Sequence, residues 1–333
     1  MSEETLRIGV VGMGKMGLLH ASILNLLPGV QLAAVCEKSG ITRKLLKKIF
    51  SGIPLVDDVN KFADLDLDVV YVTTPISTHY NVAKTVCKEH FASHLFIEKP
   101  LTSNYSESKE LSELMNQSGG ANMVGYLRRF MVTFRKAKDL LSQNAIGEPV
   151  SFTLNAFSSD FYGMHDNPKI SIARGGVLRD LGSYAIDLAT WFFGDIKVVS
   201  ATTESLTGAG AEDAVHFTAT RDLDALQGDF AVSWCVDGYR MPEVIFTIKG
   251  SKGIIEANDD KVSLNLNDGK TTTWYRHNLN DDVQFWLGGP EYYRENAYFV
   301  KSIRENLVAE PSFETASKVD YLIETIQKES RNK

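Results

Sequence analysis

The sequence predicts an α/β protein in two parts. The first, residues 1–125, is a doubly wound parallel sheet; the second, residues 126–333, is an α/β domain with a mostly antiparallel sheet. Three observations carry this expectation. Short, near-continuous apolar runs alternate with helical patterns through the first third, as in parallel strands covered on both faces. A glycine-rich turn joins the first run to the first helix. After about residue 125 the pattern becomes a series of alternating segments separated by Gly or Asp turns.

Taken in order, Leu6 to Val11 is a β-rich run closed by glycines, and Gly17 to Leu27 has helical spacing through Leu18, Ala21, Leu24 and Leu27. Gln31 to Cys36 is a second strand, Thr42 to Phe50 a basic amphipathic helix, and Val69 to Val72 the heart of a third strand. Helix is expected over Thr78 to Glu89, strand over His94 to Ile97, helix over Asn104 to Asn116 and strand over Asn122 to Gly125. One helix, Met131 to Gln143, then precedes a turn at Ile146-Gly147-Glu148-Pro149 and an alternating strand, Val150 to Phe157. Ser158 to Gly176 is a long irregular loop, of the kind that often carries function. Asp180 to Phe193 reads as a helix, Lys197 to Tyr275 as several β segments, and Glu291 to Asn306 and Glu314 to Glu329 as closing helices.

At 333 residues the chain has the length of two ordinary domains, each able to bury a core without staples. Hydrophobic residues at 44% and charged residues at 23% exclude a disordered chain. With 35 basic and 42 acidic side chains the formal charge is −7, so neither nucleic acid nor an anionic membrane is expected as a partner. Cys36, Cys87 and Cys235 are sparse and form no C-x-x-C pair, which argues against a disulfide framework or a structural metal site. No signal-peptide pattern follows Met1 and no apolar run reaches the length of a membrane span, so the expected location is cytoplasmic.

Gly12-Met13-Gly14-Lys15-Met16-Gly17 is a G-x-G-x-x-G between a strand and a helix, the context that makes it a dinucleotide-binding motif. The first glycine permits the turn, the second lets backbone approach a pyrophosphate, and the third lets helix and strand pack closely. The helix N-terminus then meets the anion with N–H groups and a favourable dipole. Glu37 ends the second strand at the offset of a ribose-binding acid. Its carboxylate favours NAD and repels a 2′-phosphate, while the adjacent Lys38 leaves NADP as the alternative. Thr74 and Pro75 follow the third strand at the carboxyl edge of the sheet, where such folds bind ligands. His79, at the next helix start, is either a cofactor contact or a capping and packing histidine.

Glu98-Lys99-Pro100 ends the next strand at the same edge, which makes Glu98 a further expected cofactor contact. Together with the glycine-rich turn, Thr-Pro-x-x-x-His and Gly175-Gly176-Val177-Leu178-Arg179-Asp180-Leu181-Gly182, it makes the chain resemble the Gfo/Idh/MocA family of oxidoreductases, which takes in glucose–fructose oxidoreductase and inositol dehydrogenase. The resemblance covers nearly the whole chain. It implies a Rossmann domain followed by an α/β domain with a large open sheet, and a homodimer or homotetramer formed through that sheet. The segments from Ala214 to Trp234 and Glu243 to Ala257 are compatible with one exposed apolar sheet face.

In the family the lysine matching Lys99 lies near the nicotinamide and the reacting hydroxyl. A cationic neighbour there disfavours the ammonium form, leaving Lys99 able to take or return the hydroxyl proton. Asp180, Tyr184, Asp187 and Trp191 stand at i, i+4, i+7 and i+11, one face of a helix. Asp180 and Tyr184 suit a cleft; Asp187 and Trp191, further down, suit a structural role. Many members have histidine where this chain has Tyr184. A tyrosine ordinarily keeps its proton up to a pKa of about 10, so here it acts as proton donor or needs activation by Lys99. Asp180 would bond the substrate hydroxyl or hold Lys99.

On the substrate side, Tyr126 and Arg128 follow the last strand of the first part and resemble a family segment at the cleft floor. Tyr162, in the loop Ser158 to His165, and Arg174 add an aromatic face and a donor suited to a carbohydrate. The expected function is an NAD(P)-dependent dehydrogenase or ketoreductase acting on a secondary alcohol or ketone, or on the anomeric carbon, of a sugar, polyol or sugar derivative. The alternatives are a non-catalytic dinucleotide-binding regulator and an NAD-dependent glycosidase.

Overall fold

The computed structural model describes residues 5–164, 174–208, 211–221, 223–224, 226–284 and 287–331. The chain forms two compact units: residues 1–126 with 283–318, and residues 127–282 with 319–333. The expected division at residue 125 is thereby corrected in one respect, because residues 283–318 cluster with the first unit.

The first unit is built on a six-stranded sheet of order β3-β2-β1-β4-β5-β6. Its strands are β1 (Leu6–Val11), β2 (Val30–Cys36), β3 (Leu55–Val56), β4 (Val69–Val72), β5 (His94–Glu98) and β6 (Asn122–Gly125), all paired in parallel. The helices α1 (Lys15–Leu24), α2 (Gly40–Ile49), α3 (Ile76–Lys88) and α4 (Tyr105–Ser118) alternate with them. The strand order reverses between β1 and β4, and the crevice at their carboxyl ends is where such sheets bind ligands. Ile8, Val10, Val69, Val70, Leu95, Phe96 and Ile97 are buried on both sheet faces, which explains the unbroken apolar runs. β3 escaped the sequence reading because two residues carry no period.

The late return of the chain has a packing cause. Phe299 meets the stacked rings of Tyr71 and Phe96, and the Val124 and Phe313 amides bond Pro311 O and Asn122 Oδ1. The helix here called α7 (Pro290–Arg304), which also packs on α1, therefore buries its apolar face against the first sheet.

The second unit holds an eight-stranded sheet of order β14-β13-β12-β11-β7-β10-β9-β8. The strands are β7 (Pro149–Phe157), β8 (Ile196–Glu204), β9 (Ala214–Arg221), β10 (Gln227–Ser233), β11 (Glu243–Gly250), β12 (Gly253–Ala257), β13 (Lys261–Leu266) and β14 (Thr271–Tyr275). Every pairing is antiparallel except β7 with β10. α5 (Val132–Ser142) and α6 (Ser183–Phe193) cover one face, over Phe152, Leu154, Phe217, Phe230, Phe246 and Ile248. The other face is not the apolar surface expected. It presents Ser151, Thr153, Asn155, His216, Thr218, Asp229 and Thr247, tied by Ser200–Thr218 and Ser263–Thr273 hydroxyl pairs at 2.9 Å and by His216–Asp229 at 3.0 Å. Phe157, Ala231, Ile245 and Ile254 are apolar members of this face. The closing helix α8 (Phe313–Arg331) begins in the first unit and ends in the second.

Candidate cofactor and active site

In the first unit the glycine-rich turn forms a cradle. Gly12 has φ +91°, and a Cβ on Gly17 would lie 1.9 Å from the Gly12 carbonyl oxygen. Both positions therefore require glycine, one for its φ and one for close approach. Thr73 Oγ1 donates to that same Gly12 carbonyl at 2.6 Å, locking β4 to the turn. Gly14 precedes α1 as its N-cap, with no side-chain cap and no acidic residue in the first turn, so the helix's N–H groups are open to an anion. A Cβ on Gly14 would meet nothing within 4 Å, so space is open there. Lys15 is exposed and Met16 half-buried at the lip. This cradle fits a dinucleotide pyrophosphate.

Glu37 follows β2 with its carboxylate held by two backbone amides, Met13 N at 2.9 Å and Ser39 N at 2.7 Å. Lys38 is exposed beside it, and Arg43 on α2 donates to the Glu37 and Lys38 carbonyls at 2.6 and 2.7 Å. Arg43 also lies 3.6 Å from Asp57. Arg43 is thus already bound to two carbonyls and a carboxylate.

His79 lies at 1% exposure with Nε2 2.8 Å from Thr74 O and Nδ1 3.1 Å from Pro100 O. Burial pushes it below the ordinary histidine value, and the two carbonyls pull it partly back. Its ring contacts the backbone of two loops at the carboxyl edge. Of the two readings of His79, this geometry fits the capping and packing one, with Thr74 and Pro75 themselves partly exposed. Glu98 is likewise turned inward: Oε1 lies 2.8 Å from His20 Nε2, and Oε2 accepts from Lys99 N at 3.2 Å. Lys99 is half-buried at the end of β5, on the same sheet edge as the cradle. Tyr126 is fully buried, so the expected substrate contact from its ring is not one the structure offers.

In the second unit the predicted acid-and-aromatic stripe is met by cations along its length. Its start is a π-type turn, Leu178–Gly182, before α6 begins at Ser183, where the sequence reading had one continuous helix. Such turns are frequent at functional sites. Arg174 bridges Asp160 at 2.5 Å and Asp180 at 3.3 Å. Arg128 lies over the Tyr184 ring at 4.3 Å, while its Nη2 reaches Asp259 at 3.2 Å and Pro242 O at 3.1 Å. Arg128 is therefore a buried support for Tyr184, a correction to the substrate-side position expected for it. Arg129 grips Asp187 with Nε and Nη2 at 2.7–3.1 Å, fully buried, and Lys138 donates to Trp191 O at 2.7 Å. Asp187 and Trp191 thus belong to the packing of α6. Tyr162 is 53% exposed; His165 and the rest of that loop to residue 173 lie outside the described residues.

Comparison with known proteins agrees with this geometry. Residues 6–126 match the family described as "Oxidoreductase family, NAD-binding Rossmann fold", and residues 134–256 the "GFO/IDH/MocA C-terminal domain". The chain belongs to the Gfo/Idh/MocA oxidoreductases. Within this family it is similar to scyllo-inositol 2-dehydrogenase (NAD(+)) of Bacillus subtilis, 27% identical over 58% of this chain and 55% of the relative. It is also similar to the same organism's scyllo-inositol 2-dehydrogenase (NADP(+)) IolW, 25% identical over 67% of this chain and 62% of the relative. The match thus spans little more than half the length of these relatives. Levoglucosan dehydrogenase in complex with NADH shares the fold, with a TM-score of 0.87 over 99% of this chain and 98% of that one at 20% identity.

The first unit of this Gfo/Idh/MocA protein is accordingly an NAD-binding Rossmann domain. Sequence reasoning missed two residues beside the Glu-Lys-Pro motif, His20 on α1 and Asn296 on α7. A signal for the first was present: a histidine among Leu19, Ala21, Ile23 and Leu24 on a helix otherwise buried by apolar residues. Asn296 lies 276 residues away and gave none.

Proposed function

We propose that this protein is an NAD-dependent dehydrogenase that oxidises a secondary alcohol of a cyclic polyol or sugar to the ketone. The observation that carries the reading is the Glu98-Lys99-Pro100 motif at the carboxyl edge of the sheet that holds the dinucleotide cradle. Bound NAD supplies the hydride acceptor. In the first unit Lys99 takes the hydroxyl proton that leaves as the carbonyl forms; in the second unit Tyr184 offers a proton-bearing hydroxyl, and Asp180, held by Arg174, offers an acceptor for a substrate hydroxyl. Glu37 selects NAD, since its carboxylate would face a 2′-phosphate as a like charge and Arg43 is already engaged. The inositol dehydrogenases named above and the sugar-type neighbour support a ring polyhydroxyl as substrate.

The test is a panel of inositols, anhydrosugars and free sugars, followed through the NADH absorbance band. One member should be oxidised, with NAD preferred over NADP. Tyr184→Phe and Lys99→Ala should each lower turnover about 10²- to 10⁴-fold while NADH still binds. Wild-type turnover in either variant would remove that residue from the reaction. Reduction of no cofactor by any compound, with bound NAD verified, would remove the dehydrogenase reading.

A further inference from the structure

Behind Lys99 lies a chain of three side chains that the proposed reaction does not use. Asn296 Nδ2 donates to Tyr292 O at 2.7 Å, which turns its Oδ1 toward His20. That oxygen only accepts, so His20 Nδ1, 3.1 Å away, carries a hydrogen and donates to it. His20 Nε2 then faces Glu98 Oε1 at 2.8 Å, a contact that needs one proton between the two atoms whichever of them holds it. The second oxygen, Oε2, accepts the backbone N–H of Lys99.

Everything along this line is fixed. His20 and Asn296 are fully buried, and the imidazole is boxed by Tyr71, Phe96 and Tyr292 at ring distances of 5.6, 5.0 and 6.2 Å. On the other side, Gly125 leaves room for the Glu98 carboxyl: a Cβ there would lie 3.2 Å from Oε2. A buried polar line with each member bonded to the next holds its end group in one place, because any rotation leaves a buried donor or acceptor unmet.

We infer that His20 and Asn296 are positioning residues for Lys99, acting through Glu98 to fix the backbone from which the lysine side chain departs. This rests on the reading of Lys99 as a reacting residue. On that reading Lys99 is the reacting group, while His20 and Asn296, both fully buried, act on it only through Glu98 and the backbone.

Two measurements test the inference without turnover. The first uses the cofactor-free full chain with 15N-labelled lysine, the Lys99 amide being assigned through Lys99→Arg. His20→Phe, and independently Asn296→Leu should the first not fold, should move the Lys99 amide resonance while the resonances of lysines distant from β5 stay in place. His20→Gln, which keeps a donor toward Glu98, should restore most of its position. The second compares the affinities of NAD+ and NADH by titration. A cation near the nicotinamide disfavours the oxidised form, so Lys99→Met should change the NAD+/NADH affinity ratio about three- to tenfold. His20→Phe should change it in the same direction, and the double variant should go no further than Lys99→Met alone. An unmoved Lys99 amide, or a full additive change in the double variant, overturns the positioning role. An unchanged ratio in Lys99→Met with a moved amide overturns instead the reading of Lys99, and leaves the linkage through Glu98 standing.

Discussion

Glu295, on α7, is fully buried, and neither of its carboxyl oxygens has a hydrogen-bond partner among the described residues. Burial, with Glu98 and Glu291 nearby, pushes it well above the ordinary glutamate value of 4.5, so it folds as the neutral acid. The folded state then keeps a proton that the unfolded chain has lost above that value. Stability from this group is complete below it and falls as pH rises toward the raised folded value. Glu295→Gln has the shape of the neutral acid and cannot ionise. Its melting temperature relative to the parent should rise steadily from pH 5 to pH 8 in a calorimetric series; a constant difference across that range would show the carboxyl to be unperturbed. Tyr71, beside the same group, is held protonated by burial. A residue-level reading of the sequence sees none of this, because a glutamate four positions from another on a helix ordinarily marks a solvated face.

At the level of elements, the two glycines of the turn from β1 to α1 divide the labour differently. Gly17→Ala places a methyl against the Gly12 carbonyl and Thr73 Oγ1, and backbone must shift to admit it. It should cost about 1–3 kcal/mol of stability in the free protein, read by urea unfolding, as well as cofactor affinity. Gly14→Ala meets open space at φ −72°, so it should leave the free protein's unfolding midpoint unchanged and weaken NADH binding alone. Equal destabilisation by both would show that neither acts through the cofactor. This turn, β1, β2 and β4 to β6 were legible in the sequence because their signals are local: an apolar run, a glycine spacing, a helix start. The parallel pairing of β7 with β10 was not, since its two strands lie some seventy residues apart and either direction satisfies the same alternation. The stripe Asp180, Tyr184, Asp187, Trp191 was legible as a stripe. What occupies it was not, because Arg128 finds Asp259 across 131 residues and Arg129 finds Asp187 across 58. Chemistry-bearing residue types could be found by motif, while the cations that hold them arrive through the fold.

For the whole molecule, the open face of the eight-stranded sheet bears on assembly. Its threonine, serine, asparagine and histidine side chains bond one another in pairs, with Ile245 and Ile254 set among them. Such a face suits association through hydrogen bonds and trapped water more than through an oily patch. We expect two or four chain masses by light scattering at micromolar concentration, and a shift toward the single chain when Thr153→Arg places a charge at the centre of the face. A single chain mass for the parent protein would sink this expectation. The net charge of −7 also reads differently once the cradle is described: attraction for a dinucleotide is supplied by backbone N–H groups at one helix start, independent of the surface as a whole.

The return of residues 283–318 to the first unit has a consequence in time. A nascent chain leaves the ribosome from its N-terminus, and a domain made of one continuous stretch can fold as soon as that stretch is clear. Here the strands that hold the cradle emerge well before residues 283–318, yet Tyr71, Phe96, Val124 and Asn122 pack against or bond to Phe299, Pro311 and Phe313. The nucleotide-binding unit must therefore wait, with that part of its apolar surface uncovered, until the whole second sheet has been synthesised.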